Sequence, residues 1–598
     1  MNRAPLLLLG ALLALWASWA GDATAAEIIP ADRLADWAPG VTVGVPGGIP
    51  ADRTHLIDVT KAPYNADNTG AADAQPATMQ AIAKAAENDV VYLPAGTYRI
   101  DKAISVAGGK SKITIRGAGP DKTLIMGYHP SGSAIGIAPA DGGDWWYPNR
   151  LKLDVTGSPA RGATVLTVGD TRALDGYPHG GIGQLCQLSL KNDRKLPVVA
   201  VANFDYMRRQ VSRIVAKTPT TVTVSPGLLF DLPAELAPVL RPVGRYCELV
   251  GIEDLTVDGT NSKSPHGLVG VNASYGCWVK NVVVRNAERY LFGVDGSVQC
   301  EVRHCTIARR KSGFGPNGGG ILFGVSSFCL IEDNIIAETF PHMEVDGSSG
   351  NVFAYNFCDD GGIQGGLLGC TINSNHSAHC SFNLYEGNMA PKFQSDGYHG
   401  SASHDTAFRN WFHGTSTKTG QYWVCVNLNR FTRCYSIVGN VLGRKGGTWL
   451  YDNAENGFGY DQHFICVFGM PNMGNGGFSG AKVQPSKGTY WADWDKLLAS
   501  ERGKGPGPGG FQELDLDVKA TTLLKGNYNY KDNGVPESES LGGATLPKSL
   551  YLKEKPVWFG DLNWPPFGPD TDFEKNKIPA QVRFEAMTRR MSTIPPSE

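Results

Sequence analysis

The sequence predicts an all-β fold, a parallel solenoid of stacked coils, and a recurring short pattern is the main reason. Seven times between residues 277 and 440, an apolar or β-branched stretch ends in Asn, or once in Cys. Successive copies are 24, 29, 22, 32, 22 and 30 residues apart. A strand-plus-turn unit of this length buries its inward face only by stacking on its neighbours. The marker residues are Asn281, Cys305, Asn334, Asn356, Asn388, Asn410 and Asn440.

Asn suits the recurring turn for two physical reasons. It tolerates left-handed backbone geometry, and its amide can hydrogen-bond to the same Asn one coil away. The uneven intervals indicate insertions in loops on one side of the solenoid, where such proteins usually carry their site.

Composition agrees with a turn-rich β protein and excludes some partners. The chain has 598 residues, a formal net charge of -2, 74 glycines, 37 prolines and 19% charged residues. A near-neutral chain of this kind lacks the basic balance of a nucleic-acid-binding protein. We therefore expect no nucleic-acid partner, and we expect a monomer.

Residues 1–26 have the organisation of a secretory signal peptide. Arg3 precedes an apolar stretch too short to span a bilayer, and the small residues Ala23–Ala25 offer a cleavage site. No later segment has 18 uninterrupted apolar residues. The sequence therefore predicts a protein without a membrane span that is secreted or periplasmic.

The twelve cysteines follow the solenoid repeat in part. Cys300 and Cys329 each lie five residues before a marker, on adjacent coils. Because stacked strands lie about 4.8 Å apart, either a buried ladder of thiols or a disulfide is possible, and we favour the ladder. The cysteine spacing does not match a zinc site.

Residues 27–149 are predicted to form an N-terminal cap and the first coils. Within them, residues 64–100 read as a turn, a helix containing Met79 and Ile82, and the strand VVYLPAGTYRI. This segment resembles the N-terminal part of the pectate lyase superfamily, where a Gly/Asp-rich turn and a helix precede an LPxGxY strand. The resemblance implies a right-handed parallel β-helix whose open end is capped by the helix. It also implies an extended carbohydrate as substrate, and lyase, hydrolase or epimerase activity.

Three further regions complete the predicted organisation. Residues 150–240 contain alternating strands with turn signals, which indicates a small antiparallel β subdomain inserted into the solenoid. Residues 241–470 are the main β-helix and carry the candidate site. Residues 471–598 are rich in Gly, Pro and aromatic residues, and we expect them to brace the β-helix and cover its last coil.

The densest polar stretch, residues 373–405, is the candidate site. Histidine exchanges protons near neutral pH, and Lys or Arg can neutralise a substrate carboxylate. Counting back ten residues from each marker adds one column, in which Asp295, Asp346, His379, His399 and Arg430 stand in or beside equivalent positions. The predicted catalytic residues are His379, His399, Tyr398, Lys392, Arg430 and Asp346. The predicted substrate-binding residues are His376, Glu386, Asp396, His404, Asp359, Asp360 and Trp423.

Three functions are compatible with these residues. A polysaccharide lyase acting on a uronate polymer by β-elimination needs a carboxylate-neutralising cation, a base and an acid. A glycoside hydrolase would use two of the carboxylates instead. A non-catalytic carbohydrate-binding surface protein would stack aromatic side chains on sugars. We favour the lyase. The sequence requires no cofactor, although scattered aspartates are compatible with calcium, and a metal site at His376, His379, His399 and Asp396 is conceivable.

The catalytic motifs of two kinds of enzyme in the superfamily, pectate lyases and polygalacturonases, are not found intact in this chain. The WxDH and RxPxxR motifs of calcium-dependent pectate lyases do not occur. Residues resembling the polygalacturonase motifs occur in a similar order, but their spacing differs. The resemblance therefore assigns no catalytic residue.

Overall fold

A computed structural model of the chain describes residues 27–107, 111–138, 151–192, 206–264, 267–311, 319–339, 341–359, 372–396, 399–414, 424–453, 463–469 and 515–592. Two long parallel sheets dominate these residues, as the sequence predicts. Successive coils pair strand on strand in parallel register, for example Glu301–Arg303 on Leu330–Glu332 on Val352–Ala354. The fold is a parallel β-helix.

The larger sheet has 22 strands and forms two adjoining sides of each coil. Its strands are Leu56–Asp58, Thr69–Asp73, Val90–Leu93, Gly96–Ile100, Thr114–Gly117, Thr123–Gly127, Gly251–Asp258, Trp278–Ala287, Glu301–Arg303, Thr306–Arg310, Leu330–Glu332, Ile335–Ala337, Val352–Ala354, Phe357–Cys358, Leu384–Glu386, Met389–Ala390, Thr406–Phe408, Trp411–Phe412, Ser436–Val438, Val441–Leu442, Leu523–Lys525 and Tyr528–Asn529.

The second parallel sheet has 11 strands and closes the coil on the remaining side. Its strands are Ile104–Val106, Ile135–Ile137, Val269–Asn272, Phe292–Asp295, Ile321–Gly324, Met343–Asp346, Ile372–Ser377, Phe393–Ser395, Val424–Leu428, Leu450–Asp452 and Phe464–Phe468. Two short parallel ribbons bridge the sheets: Cys247–Glu248 with Ser274–Tyr275, and Ala402–Ser403 with Thr432–Arg433.

The marker asparagines form the predicted ladder inside the turn of the larger sheet. Asn356 Nδ2 donates to Asn388 Oδ1 at 3.0 Å, and the Asn356 main-chain N–H donates to the same oxygen. The second Nδ2 hydrogen bonds to a main-chain carbonyl of the preceding coil. Each buried amide is thus satisfied by the coils on either side. The ladder runs through Asn334, Asn356, Asn388, Asn410, Asn440 and Asn527.

Asn281 lies outside this ladder, contrary to the predicted register. It has φ of 52° and belongs to the column of left-handed residues one position earlier, with Asp333 and Tyr355. Val282 precedes Val283, the partner of Thr306, so it occupies the ladder position of that coil. The left-handed column favours Asn because Asn tolerates positive φ, and the ladder column favours it because its amide forms hydrogen bonds. The sequence pattern therefore does not distinguish the two columns.

The cysteines of the described residues form no disulfide. Cys300 and Cys329 stack as predicted, and the Cys300 main-chain N–H points to Cys329 Sγ at 3.4 Å. The next coils carry Asn351 and Asn383 in the same position, so this column continues as a second amide ladder. Of the two alternatives, a disulfide and a ladder of buried thiols, the structure contains the ladder.

Helices are few, and one of them caps the solenoid. Helix Gln75–Lys84 covers the N-terminal end through buried Thr78, Ala81 and Ile82, as predicted. Within the described ranges, further α-helices span Leu516–Thr521 and Pro579–Ser592, and short 3-10 turns occur at Ala31–Arg33, Arg172–Gly176, Pro178–Gly181, Ala234–Leu236, Glu537–Glu539 and Val557–Phe559.

The solenoid continues further along the chain than its repeats indicate. Leu523–Lys525 and Tyr528–Asn529 add a coil of the larger sheet, and Asn527 extends the ladder. Glu539 then accepts from Asn527 Nδ2 at 2.7 Å and ends the row of amides. Asn440 and Asn527 are 87 positions apart, and this long interval conceals the last repeat in the sequence.

The predicted insertion is a six-stranded antiparallel sheet. Its strand Arg208–Lys217 lies along the β-helix, where the Val211 N–H donates to Ser327 Oγ and Ser349 Oγ donates to the Arg209 carbonyl. The strands are Leu153–Asp154, Val165–Thr167, Leu185–Leu190, Arg208–Lys217, Thr221–Ser225 and Val239–Pro242.

The C-terminal segment covers the larger sheet. Tyr551 Oη donates to Glu332 at 2.6 Å, and Arg583 donates two hydrogen bonds to the Asp333 carboxylate and one to the Asp333 carbonyl. Residues 471–514 of the predicted bracing region lie outside the described residues.

Candidate functional site

The outer face of the 11-stranded sheet is the candidate functional site. Side chains alternate along each strand, and Met343 and Val345 point into the core. Glu344 and Asp346 therefore point outward, and they are 8% and 7% exposed. The same alternation on neighbouring strands gathers a continuous polar surface, which we call the polar face.

Two columns of equivalent residues run across the polar face. The first contains Asn272, Asp295, Gly324, Asp346 and Ser377, paired strand by strand. The second contains Gly293, Leu322, Glu344, Asn373, Gln394 and Asn427. Neighbouring members of a column are about 4.8 Å apart, so groups from distant parts of the sequence meet here.

Three carboxyl groups of the polar face have raised pKa values. Burial raises the pKa of Glu344 to about 7, although the charge of His376 and the Tyr290 hydrogen bond at 2.9 Å oppose the shift. Burial likewise raises the pKa of Asp346, against the opposing charge of His376. Burial, and then repulsion from Asp346, raise the pKa of Asp295 well above its usual value. The face can therefore present both protonated and ionised carboxyl groups near neutral pH.

Two histidines with opposite protonation accompany these carboxyl groups. His376 Nδ1 lies 2.8 Å from Asp396 Oδ2. Burial alone would lower the pKa of His376, but the charges of Asp396 and Glu344 raise it well above its usual value. The ring of His399 packs edge-on against His376 at 5.0 Å, and burial together with that positive neighbour lowers the pKa of His399 to about 4. A charged and a neutral imidazole thus lie side by side.

Several polar atoms of the face are buried and have no hydrogen-bond partner within the described residues. They include the Oδ1 atoms of Asn272, Asp295 and Asp346, with Gln394 Nε2 and the Oδ1 atoms of Asn427 and Asn429. An unpartnered buried polar atom is costly, so a row of them indicates a surface that a polar ligand or water completes.

The structure brings together four of the predicted site residues: Asp346, His376, Asp396 and His399. Lys392 and Arg430 adjoin the strands Phe393–Ser395 and Val424–Leu428 of the same sheet, and they are 6% and 5% exposed.

His379 and His404 belong to a different place, beside the inserted subdomain. His379 Nε2 lies 2.7 Å from Ser403 Oγ, and its main-chain N–H donates to the Met207 carbonyl. The His404 ring stacks on Phe382 at 4.9 Å. Burial, reinforced by the charge of Arg208, lowers the pKa of His379 far below its usual value and that of His404 to about 4.

Glu386 lies on the larger sheet, under the C-terminal segment. Its carboxylate accepts from the Leu550 N–H at 2.8 Å and from Tyr355 Oη at 3.1 Å, and the side chain is fully buried. Asp359 lies in a turn, where it accepts from the Glu338 N–H at 3.0 Å. Tyr398, Asp360 and Trp423 lie outside the described residues.

Sequence reasoning missed several members of the polar face. Glu344 was passed over although it alternates with buried Met343 and Val345, and that alternation was the available signal. Tyr290 reaches Glu344 from 54 residues away. His342, two residues before Glu344, is fully buried and neither ring nitrogen has a hydrogen-bond partner among the described residues.

A metal centre was one of the possibilities raised by the sequence. Among the described residues, no three His, Cys, Asp or Glu side chains are grouped closely enough to hold a metal ion. His379, one of the four suggested ligands, hydrogen-bonds to Ser401 and Ser403 instead. A search of the same residues found no helix with the length and apolar character needed to cross a membrane.

Comparison with known proteins supports the class that the fold indicates. Residues 58–142 match the sequence family described as rhamnogalacturonase A/epimerase, pectate lyase-like. The match covers 85 of the 598 residues and includes the segment 64–100, whose resemblance to the pectate lyase superfamily the sequence indicated. No curated protein matches it in sequence.

Solved structures with a similar architecture come from viruses and bacteria. ORF18 of Geobacillus virus E2 is 13% identical with a TM-score of 0.37, covering 70% of this chain, which spans 61% of ORF18. The Gp54 tailspike of Acinetobacter baumannii bacteriophage AP22, solved with capsular saccharide, is 9% identical with a TM-score of 0.40, covering 69% of each chain. The A-module of the Azotobacter vinelandii mannuronan C-5 epimerase AlgE4 is 14% identical with a TM-score of 0.29, covering 69% of this chain and 94% of the module. Structural similarity at these sequence identities and TM-scores assigns no activity to this chain.

Proposed function

We propose that the protein is an exported carbohydrate-active enzyme that hydrolyses a polysaccharide on the polar face. The signal-peptide pattern of residues 1–26 supports export, and the match to a rhamnogalacturonase-type family supports a carbohydrate substrate. The unpartnered polar atoms of the face support binding of a ligand rich in hydroxyl groups.

One observation favours hydrolysis: the carboxyl groups of Glu344 and Asp346 project from one strand onto the same face. Residues two apart on a parallel strand have Cα atoms about 6.6 Å apart. Glycoside hydrolysis uses two carboxyl groups beside the scissile bond, one as the acid and the other as the base or nucleophile.

The two carboxyl groups have environments that suit different roles. Glu344, with a pKa of about 7 and a hydrogen bond from Tyr290, holds a proton for the leaving oxygen. Burial raises the pKa of Asp346 too, while the charge of His376 and a hydrogen bond from Ser377 oppose that shift, and we assign Asp346 the role of the base that activates water.

A product assay tests this proposal. The purified protein is incubated with neutral, acidic and amino polysaccharides, and reducing ends and unsaturated-uronate absorbance are measured. New reducing ends without absorbance, lost in Glu344→Gln, support hydrolysis. The matched control is Glu338→Gln, which alters a half-exposed carboxylate paired with Arg309. Binding without chain shortening would contradict the proposal and favour a carbohydrate-binding protein.

A polysaccharide lyase is the second candidate, and His399 is the observation that favours it. Its imidazole is neutral near pH 7 and adjoins the charged His376, so it can accept a proton from a sugar carbon. Lys392 would neutralise the uronate carboxylate. Unsaturated products that disappear in His399→Ala would establish this reaction and exclude the hydrolase.

A further inference from the structure

A buried carboxylate holds one imidazole of the polar face in place. The Asp396 side chain is fully buried, and its Oδ2 lies 2.8 Å from His376 Nδ1. The His376 side chain is 23% exposed, so it is the member of the pair that reaches the surface. Because Asp396 engages Nδ1, this hydrogen bond fixes the orientation of the ring and leaves Nε2 on the side away from Asp396.

Asn373 settles which atoms donate in this pair. Its Oδ1 accepts from the Asp396 main-chain N–H at 3.3 Å, so the atom that lies 2.6 Å from Asp396 Oδ2 is the amide nitrogen Nδ2. An amide nitrogen only donates, and Asp396 Oδ2 is therefore the acceptor. A carboxylate oxygen that accepts from Asn373 can also accept from His376 when Nδ1 carries a proton. Both neighbours thus donate to the carboxylate of Asp396.

Main-chain contacts hold both members of the pair. The Asp396 N–H also donates to the Asn375 carbonyl at 3.2 Å, and the Asp396 carbonyl accepts from Asn429 Nδ2 at 2.8 Å. The His376 carbonyl accepts from the His399 N–H at 3.0 Å. These hydrogen bonds come from the neighbouring coils, so the geometry of the pair is set by the protein before any ligand binds.

Ionisable groups on three neighbouring segments face His376. They are Asp396, the two carboxyl groups of the strand Met343–Asp346, and His399, whose ring packs edge-on against His376 at 5.0 Å. Burial lowers the pKa of His376, but the carboxyl groups outweigh this effect and raise the pKa well above its usual value. Further ionisable side chains that lie on the polar face or adjoin its strands are Tyr290, Asp295, Lys392 and Arg430.

The charge of His376 acts in turn on the two carboxyl groups assigned to hydrolysis. Burial raises the pKa of Glu344 to about 7 and also raises that of Asp346, and in both cases His376 is the strongest opposing influence. Asp396 repels both carboxylates, but more weakly than His376 attracts them. Loss of the positive charge would therefore raise both pKa values.

We propose that Asp396 is a positioning residue, which fixes the His376 ring and keeps it positively charged. This charge sets the pH range in which the carboxyl groups of Glu344 and Asp346 act as acid and base. The inference rests on the proposed function for the roles of those two carboxyl groups, whereas the pairing of Asp396 with His376 does not depend on it.

Nuclear magnetic resonance of protein labelled at histidine Cε1 tests the pair without turnover. The His376 signal is assigned by its loss in His376→Gln. In wild-type protein, we expect His376 to be protonated at pH 7, above the ordinary histidine pKa of about 6.5. Asp396→Asn keeps the shape but removes the charge, and should weaken proton binding by His376 at least about tenfold, or one pKa unit.

Two results of this titration overturn the proposal: a wild-type His376 that titrates at or below pH 6.5, and a titration that Asp396→Asn leaves unchanged. The wild-type measurement requires no substitution, so it decides the matter if that variant fails to fold. The matched control is Asp89→Asn, which removes a carboxylate 2.7 Å from His55 Nδ1 in another part of the chain. It should leave the His376 titration as in wild-type protein.

The pH dependence of hydrolysis separates this role from a structural one. Because Asp346 must be ionised to act as the base, the acid limb of kcat/KM reports its pKa. Loss of the His376 charge in Asp396→Asn or in His376→Gln should move that limb to higher pH by at least about half a unit. The double variant should move it no further upward, because Asp396 acts through His376.

A lower rate with an unmoved acid limb in both single variants overturns the proposal. Wild-type protein that makes no new reducing ends, while His376 titrates as expected, overturns the proposed function and leaves the pairing of Asp396 with His376 intact. Hydrolysis whose pH dependence is the same in wild-type protein and in Asp396→Asn does the reverse.

Discussion

Both parallel sheets carry buried carboxyl groups on their outer faces, but those of the larger sheet lie beside an arginine or donors of the C-terminal segment. On the larger sheet, Glu332 lies 3.0 Å from Arg303 and accepts from Tyr551, and Asp333 accepts from Arg583. On the polar face, Asp295 and Asp346 each retain a buried oxygen with no partner among the described residues. Burial and a raised pKa therefore do not mark a site by themselves. Glu301 Oε2 and Glu332 Oε2 of the larger sheet also lack a hydrogen-bond partner among the described residues, but they lie 3.4 and 3.0 Å from the Arg303 guanidinium, which supplies the opposite charge.

The C-terminal segment explains the difference. Residues 550–583 supply the main-chain, hydroxyl and guanidinium donors that the carboxyl groups of the larger sheet accept from. These contacts bury the carboxyl groups of the larger sheet in an interface between the sheet and the C-terminal segment of the same chain.

The difference between the two sheets is tested most directly by replacing one carboxyl group on each sheet with an amide. Glu344→Gln should lower kcat by about 10²–10⁴-fold, because it removes the proton donor, and should leave the thermal unfolding midpoint nearly unchanged. Glu386→Gln should keep the kcat but lower the free energy of unfolding by about 1–3 kcal/mol, because the amide cannot satisfy both Leu550 and Tyr355. Measuring kcat and the thermal unfolding midpoint of both variants checks these expectations. The reverse pattern would place the active centre under the C-terminal segment.

The docking of the C-terminal segment can be tested at Arg409. This buried guanidinium contacts Asp570 at 2.7 and 2.8 Å and donates to the Pro547 and Phe567 carbonyls. Arg409→Ala should cost about 3–5 kcal/mol in denaturant unfolding, because partners remain buried without it. Arg172→Ala, which breaks the exposed pair with Asp170, should cost at most about 1 kcal/mol. Similar losses in both variants would contradict a tightly docked segment.

The asparagine ladder should contribute a smaller, local stability. Asn388→Ala removes an amide that bridges Asn410 and the Phe353 carbonyl, and should lower the free energy of unfolding by about 1–3 kcal/mol. Asn281→Gly keeps the left-handed backbone and lies outside the ladder, so it should cost about 0.5 kcal/mol. Urea denaturation compares the two. Equal costs would mean that the turn geometry, rather than the amide ladder, stabilises the coils.

A pH dependence of stability is expected at Asp405, which ends the second amide ladder. Burial raises its pKa from 3.8 to about 8. The unfolded chain ionises this group first, so its contribution to stability is complete below about pH 4, falls as pH rises, and is lost once pH passes about 8. Asp405→Asn should flatten the decline in unfolding midpoint between pH 5 and pH 8. An unchanged profile would assign the decline to other groups.

Much of the architecture was predictable because it depends on local repetition. The coil spacing, the capping helix Gln75–Lys84 and the inserted antiparallel sheet all follow from patterns within short windows. The ladder from Asn334 to Asn440 was predicted residue by residue. Asn281 was assigned to the wrong column because a left-handed turn and an amide ladder select the same residue type.

The site was less predictable, since a fixed count back from each marker loses register where a coil bulges. Asp295, Gly324 and Asp346 align as counted, but Asp346 then pairs with Ser377 rather than Ala378. Register shifts at Ile372–Ser377 cause the slip. His379 follows the strand Ile372–Ser377 and hydrogen-bonds to Ser401 and Ser403, whereas His399 packs against His376.

The sequence by itself determined that this chain winds into stacked coils and that its polar groups gather near residues 340–430. Only the tertiary structure decided which carboxyl groups the protein satisfies internally and which it leaves to a ligand. The physical reason is that a hydrogen bond such as Tyr551 to Glu332 joins residues 219 positions apart, and no local pattern records such a contact.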